Sequence, residues 1–287
     1  MILVYAEGGG LGHLTRLRAL VHTLGLVDPV TVISSSPAAA DPRVAGGLDV
    51  LTMPFRREDV AARRAWLART VAELAPARLV VDAFPAGLSG ELDAAVVGSI
   101  PCDHVARLLR WPAYRRVLPA DPVRFRTTYR LEDLDPDHAG HLAATSERVV
   151  PLDLVDPPGA AVVPRWPGAS DDRPRWLVAH SGPAAEVAEL LAYARDLAAV
   201  EGVRPDLVVA SPAGAAPPAA PDLVAVDHYP VWPLFPMADR VITAAGYNVV
   251  RQLTDHPDRH TVVPMPRRFD DQFERARRLR ARAGAGR

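Results

Sequence analysis

His13 is the first residue of this chain whose type and setting point to chemistry. It follows a run of glycines, Gly8, Gly9, Gly10 and Gly12, and opens a stretch in which Leu14, Leu17, Val21 and Leu24 recur three or four apart. That spacing is one face of a helix, so His13 belongs to its first turn. Imidazole titrates nearest neutral pH and serves most often as a general base. Asp82, at the end of the apolar run Leu79-Val80-Val81, is the candidate partner. A carboxylate bonded to imidazole orients the ring and stabilises it as a proton arrives. Blander roles stay open: His13 as a capping or packing residue, Asp82 as a cap for the loop or helix after it. Arg16, three residues beyond His13 on the same helix face, adds positive potential and is a candidate substrate contact.

These side chains need elements to position them. Residues 2–6 form a short apolar run of strand length. A strand, a glycine turn and a helix opening aim backbone N–H groups and the positive end of the helix dipole at one spot, where anions bind. Gly10 and Gly12 are the candidate contacts. The dinucleotide fingerprint fails, because its third glycine is His13 and no carboxylate follows the second strand at residues 30–34. Further strands are predicted at 48–53, 78–84, 102–109 and 148–154, with helices at 58–74 and 88–97. Residues 107–130 read as a loop-rich, arginine-rich segment: either an acceptor or phosphate-binding wall, or a solvated surface. Such alternation implies a parallel sheet with helices on both faces, and ligands sit outside the carboxyl ends of its strands.

Residues 156–174 hold five prolines and two glycines and no lasting period, the best linker in the chain. A second alternating series follows, with strands at 175–179, 206–210, 223–226, 239–243 and 260–263. Its helices are predicted at 184–200, 246–253 and 270–280. The expected organisation is therefore an N-terminal Rossmann-like domain over 1–156, a linker over 157–174 and a C-terminal Rossmann-like domain over 175–287. The fold class is α/β, two doubly wound domains facing across a cleft, and that cleft is the expected ligand site.

The totals narrow the class. The chain has 287 residues, 49% hydrophobic and 23% charged, with a formal net charge of -1. That suits an ordinary globular protein and argues against a nucleic-acid binder, which carries a basic domain. Cys102 is the only cysteine, so neither a disulfide nor a cysteine-rich zinc site is expected. No run reaches a membrane span and none resembles a signal peptide, so a cytoplasmic protein is expected. Peripheral membrane contact is left open. Every basic residue is arginine, the mark of a GC-rich genome, which weakens any argument from a single arginine's fork geometry.

Three stretches, GGGLGH, ADRVITAAGYNVVRQL and VVPMPRRFDDQFERARRL, resemble the glycosyltransferases of the two-domain GT-B architecture, closest to the bacterial MurG-like group of glycosyltransferase family 28. The resemblance spans both halves and implies a nucleotide-sugar co-substrate, a UDP-sugar by the family's habit, with no cofactor besides. It implies that Gly246, Tyr247 and Asn248 face the pyrophosphate and that Gln252 stands where the family's Glu holds the ribose. It implies that Asp271 and Gln272 contact the donor sugar, that Ser181 and Gly182 form the second-domain glycine turn, and that Tyr229 lines the base pocket. His13 matches the loop histidine. The chain departs from the pattern at Gln252, which lacks the family's charge, and at Arg275, where the family has Asn. It is also shorter than typical members.

Sugar transfer through an oxocarbenium-like state needs a held leaving diphosphate and a deprotonated acceptor hydroxyl. Helix openings at Gly182 and Gly246 suit the first task, and His13 with Asp82 the second. With no Asp-x-Asp motif at a strand end, no essential metal is expected. The acceptor is unknown. Two rival readings stand: a nucleotide-sugar hydrolase on the same scaffold, and a non-catalytic nucleotide-sugar-binding subunit, hinted at by Gln252.

Overall fold

The structure is a computed structural model that describes residues 1–158, 165–167, 172–211, 220 and 222–285. Part of the expected linker, 159–164 and 168–171, lies outside the described residues. The chain divides into two compact units. Met1–Pro157 with Arg268–Asp270 form the first, and Pro158–Arg267 with Asp271–Arg287 the second.

In chain order the first unit contains β1 (Ile2–Tyr5), α1 (Gly12–Thr23), β2 (Val30–Ile33), α2 (Pro42–Ala45), β3 (Asp49–Leu51), α3 (Val60–Leu74) and β4 (Arg78–Asp82). There follow α4 (Ala94–Val97), β5 (Cys102–Ala106), α5 (Trp111–Tyr114), β6 (Phe125–Arg130), α6 (Pro136–Thr145) and β7 (Ser146–Pro151). Its seven strands are all parallel, in the order β3-β2-β1-β4-β5-β6-β7. The second unit contains β8 (Arg175–Ala179), α7 (Ala184–Glu201), β9 (Asp206–Ala210), β10 (Leu223–Val226), β11 (Arg240–Thr243), α8 (Tyr247–Gln252), β12 (His260–Val262) and α9 (Gln272–Ala285). Its five parallel strands run β10-β9-β8-β11-β12.

Central parallel strands are covered on both faces, which is why β1 is wholly buried and reads as an unbroken apolar run. Leu3, Tyr5, Leu79 and Val81 cluster with Leu67 and Val71 of α3 and with Val96 and Val97 of α4. Strand alternation turns Asp82 to the opposite face. In the second unit Trp176 and Val178 pack with Val187, Leu190 and Leu191 of α7, while Leu177 and Ala179 pack with Leu234, Phe235 and Leu253. In each sheet the chain winds outward from its first strand and then returns to that strand's other side. The carboxyl ends of β1 and β4, and of β8 and β11, are thus the two switch points where such sheets open room for ligands.

Three expectations need correction. The helix expected over 88–97 shrinks to α4. Gly87 and Gly90 take φ of +77° and +87°, and the Glu91 carboxylate accepts from the Ser89 N–H at 2.6 Å, so the chain bends around Glu91. Asp93 then starts α4 by accepting from the Val96 N–H. The strand expected over 102–109 stops at Ala106. The loop-rich reading of 107–130 missed β6, where Phe125, Thr127 and Thr128 are buried beneath a heavy arginine content. The first unit also carries α6, which that reading did not anticipate. Asp135 caps it, accepting from the N–H groups of Asp137 and His138, with Pro136 at its first position.

Candidate active site

At the first switch point the glycine turn, α1 and the end of β4 bring three side chains together. His13 Nδ1 lies 2.7 Å from Asp82 Oδ2. Arg16 grips the same carboxylate with both arms, Nε to Oδ1 at 2.7 Å and Nη2 to Oδ2 at 2.6 Å. Because an ionised carboxylate only accepts, His13 carries its proton on Nδ1 and Nε2 is left as the basic nitrogen. Nε2 lies over Gly8: a Cβ there would stand 2.5 Å from Nε2 and Cδ2, so only glycine fits. Gly9 and Gly10 have open space around them.

All three side chains are buried. Burial holds the His13 imidazole below its ordinary pKa; Asp82 pulls the other way, and Arg16 and Arg107 push it down again. Burial would raise the Asp82 carboxyl, but Arg16 and then His13 outweigh it and hold it well below the usual carboxylate range. The site therefore keeps a neutral imidazole against an ionised carboxylate. Arg16, expected at a substrate face, is engaged with Asp82.

Sequence reasoning missed the residues that fix this pair. Ala83, just after Asp82, takes φ +70°, a left-handed conformation that costs a non-glycine residue about 1 kcal/mol. It is held by its N–H on Val105 and by the Tyr114 hydroxyl, which accepts from Ala86 N–H and donates to Gly87. Phe84 packs on the His13 ring at 5.8 Å and on Tyr114 and Phe269. Arg107 pairs with Asp270. Beneath the glycine turn, Arg63 donates to Glu91 at 2.7 Å and to Glu7 at 3.3 Å; Tyr5 donates to Glu91 and Ser35 to Glu7. A Glu immediately before a glycine turn was the signal available for that network.

The second switch point holds another histidine and carboxylate. His180 Nε2 lies 2.7 Å from Glu186, in the first turn of α7, and Arg267 donates to both Glu186 oxygens at 2.6 and 2.5 Å. Burial lowers the His180 pKa against the opposing pull of Glu186. Gly182 closes over the pair; a Cβ there would meet His180 Nε2 at 2.3 Å, while Ser181 beside it is exposed. Gly246 caps α8 with nothing nearer to its Cβ position than Val249 at 4.0 Å. Tyr247 is buried, and Asn248 and Gln252 are half-buried along α8. Tyr229 is buried edge-on to Trp232. Asp271 caps α9 by accepting from the Glu274 N–H, and Gln272 accepts from the Met265 N–H at 3.0 Å. Arg275, the departure from the family's Asn, is buried and donates to the Ala245 carbonyl just before Gly246.

No protein-family model matches the chain, and no curated protein matches it in sequence. Solved structures do match its fold. The spinosyn rhamnosyltransferase SpnG complexed with thymidine diphosphate is similar at 18% identity and a TM-score of 0.59, over 99% of this chain and 85% of that one. The glycosyltransferase SsfS6 of Streptomyces sp. SF2575, also complexed with thymidine diphosphate, is similar at 18% identity and 0.60, over 98% and 85%. MurG of Acinetobacter baumannii is similar at 15% identity and 0.54, over 99% and 83%. The chain thus has the fold of the GT-B glycosyltransferases, two Rossmann-like α/β units, as the resemblance implied. Among the described residues no helix is long and apolar enough to cross a membrane, and no group of three or more His, Cys, Asp or Glu could hold a metal ion.

Proposed function

We propose that this chain is a glycosyltransferase that moves a sugar from a nucleoside-diphosphate sugar to a hydroxyl of a small-molecule or cell-envelope acceptor. The observation that carries the reading is His13 Nδ1 bonded to the buried Asp82 at 2.7 Å, with Nε2 left basic over the glycine turn at Gly8. In this reading Nε2 takes the acceptor's hydroxyl proton as its oxygen attacks the anomeric carbon. The bond from that carbon to the diphosphate oxygen breaks, and the nucleoside diphosphate leaves with the electron pair. Asp82 stabilises the imidazolium that forms. The donor belongs to the second unit, with its phosphates at Ser181, Gly182 and Gly246–Asn248, its ribose at Gln252, its base at Tyr229 and its sugar at Asp271 and Gln272. The family resemblance favours a UDP-sugar; thymidine diphosphate in SpnG and SsfS6 makes a dTDP-sugar the second donor to try. No metal is assigned a role, and no cofactor beyond the nucleotide sugar.

The test is nucleotide release from UDP- and dTDP-sugars with and without a panel of hydroxyl acceptors, in the presence of EDTA. Acceptor-dependent release that survives EDTA is the expected result. Fast, complete release without acceptor identifies a hydrolase, and binding without release identifies a sensor subunit. Gly246→Val should weaken donor binding by placing bulk against the phosphates; a folded variant with unchanged affinity removes the donor-site assignment.

A further inference from the structure

An imidazole–carboxylate dyad normally has the full charge of its carboxylate to itself, and that charge raises the imidazole pKa. Here the carboxylate is shared. Oδ2 of Asp82 accepts from His13 Nδ1 at 2.7 Å and from Arg16 Nη2 at 2.6 Å, and Oδ1 accepts from Arg16 Nε at 2.7 Å. Arg16 Nη2 stands only 3.2 Å from His13 Nδ1. Both nitrogens bear protons, so that contact is an electrostatic approach and not a hydrogen bond. Arg16 and Asp82 side chains are each 4% exposed, so water screens the guanidinium little. The ring thus faces a neutral carboxylate–guanidinium pair: it receives orientation from Asp82 without the whole of its charge.

We propose that Arg16 is a positioning residue of the dyad, whose bidentate hold on Asp82 keeps His13 in the neutral, proton-accepting form at neutral pH while Asp82 fixes the ring. The charged groups facing His13 are Arg16 from its own helix, Asp82 from the end of β4 and Arg107 from beyond β5. Arg107 is itself paired with Asp270, so Arg16 is the cation that balances Asp82. Burial is the first cause of the lowered His13 pKa; Asp82 opposes it, and Arg16 and then Arg107 work against Asp82. Its rate consequence rests on His13 being the base proposed above; its protonation consequence does not.

The experiment is an NMR titration of the full chain with labelled histidines, the His13 signal assigned by its loss in His13→Gln. In the native protein His13 should titrate below the ordinary range and carry its proton on Nδ1. In Arg16→Met its midpoint should rise by about one pH unit or more, because Asp82 then acts on the ring alone. Arg16→Lys, which keeps the charge, should stay closer to the native midpoint than Arg16→Met. If Arg16→Met does not fold, Arg16→Gln carries the same expectation. A folded neutral variant whose His13 midpoint stays put or falls overturns the proposal. With donor and acceptor present, the acid limb of kcat/KM should move up by the same interval. Native protein without turnover would defeat the proposed function, and the titration would still decide the role of Arg16.

Discussion

Each unit places a histidine, a carboxylate and an arginine at the glycine turn behind its first strand, yet the two assemblies differ in reach and in exposure. In the first, His13 and Arg16 come from α1 and Asp82 from a strand 69 residues beyond His13, and the side chains are 11%, 4% and 4% exposed. In the second, His180 and Glu186 are six residues apart and Arg267 joins from beyond β12, with exposures of 9%, 20% and 30%. A sealed ion pair is screened little and is costly to break, so it holds a ring in one geometry. A half-solvated pair is worth less and can rearrange when an anion brings its own charge. Under the proposed function, the difference suits the first assembly to proton transfer and the second to a charged ligand.

The largest expected effect tests that division. His13→Ala should lower turnover by about 10²–10⁴-fold with donor affinity little changed, the usual contribution of a positioned base. Asp82→Asn should cost less, and the double variant little more than His13→Ala, because coupled residues do not add. His180→Ala should cost turnover less than about tenfold, its loss falling mainly on donor KM. Steady-state kinetics on the four variants decides it. If His180→Ala is the more damaging in turnover, the roles of the two assemblies are reversed.

A smaller effect should separate the two glycines. An alanine at Gly8 places its Cβ 2.5 Å from a ring pinned by Asp82 and packed on Phe84. The ring must leave its place, so Gly8→Ala should lose about tenfold in turnover and about 1–3 kcal/mol in stability, the usual range for overpacking. An alanine at Gly182 meets His180 Nε2 at 2.3 Å and Glu186 Oε2 at 2.6 Å, but the Glu186–Arg267 pair that holds this ring is 20% and 30% exposed and can rearrange in water. Gly182→Ala should therefore weaken donor binding with less loss of stability. Equal losses in the two variants, read by thermal unfolding and donor titration, would mean that the second pair is as rigid as the first.

The same contrast explains what the sequence made legible. Strands such as β1, β8 and β9 are unbroken apolar runs, and periodicity finds them without help. The pairing of His13 with Asp82 was readable because β1 and β4 both end at the switch point, so topology alone brings them together. The bidentate hold of Arg16 on Asp82 was not, since an arginine one turn beyond an anion-binding glycine loop reads as a substrate contact until a buried partner is known. Glu186 was passed over for the opposite reason: a carboxylate in a first helix turn already has a local explanation in the dipole. Strand β6 was lost because its inward Phe125 and threonines are interleaved with arginines, and α6 because its start is marked by a cap instead of a long apolar face.

The smallest effect expected near neutral pH grows steadily in acid, and again divides the units. In the first, burial lowers the pKa of His13, His104, His138 and His141, with His104 and His138 down at about 3. In the second, burial lowers His180 and His260, the latter to about 4, with its ring bonded to Thr243. A histidine lowered by folding stabilises the protein fully above its unfolded value of 6.5, and that contribution is lost as pH falls toward the folded value. Each such histidine removes about 1 kcal/mol per pH unit across that window. The first unit should therefore lose stability with falling pH more steeply than the second between about pH 6 and pH 4. His138 is the residue to change, because its ring stacks on Trp111 at 4.4 Å and its nitrogens have no hydrogen-bond partner among the described residues. In His138→Phe the stack is kept and the proton site removed. Little should change at pH 7.5, and the first unit should gain on the native protein by about 1 kcal/mol for each pH unit between about pH 6 and pH 4. Hydrogen exchange across the pH range, read separately for β4–β7 and for β8–β12, measures both slopes. Parallel native and variant slopes would mean that His138 is already protonated, or reaches water, in the folded state.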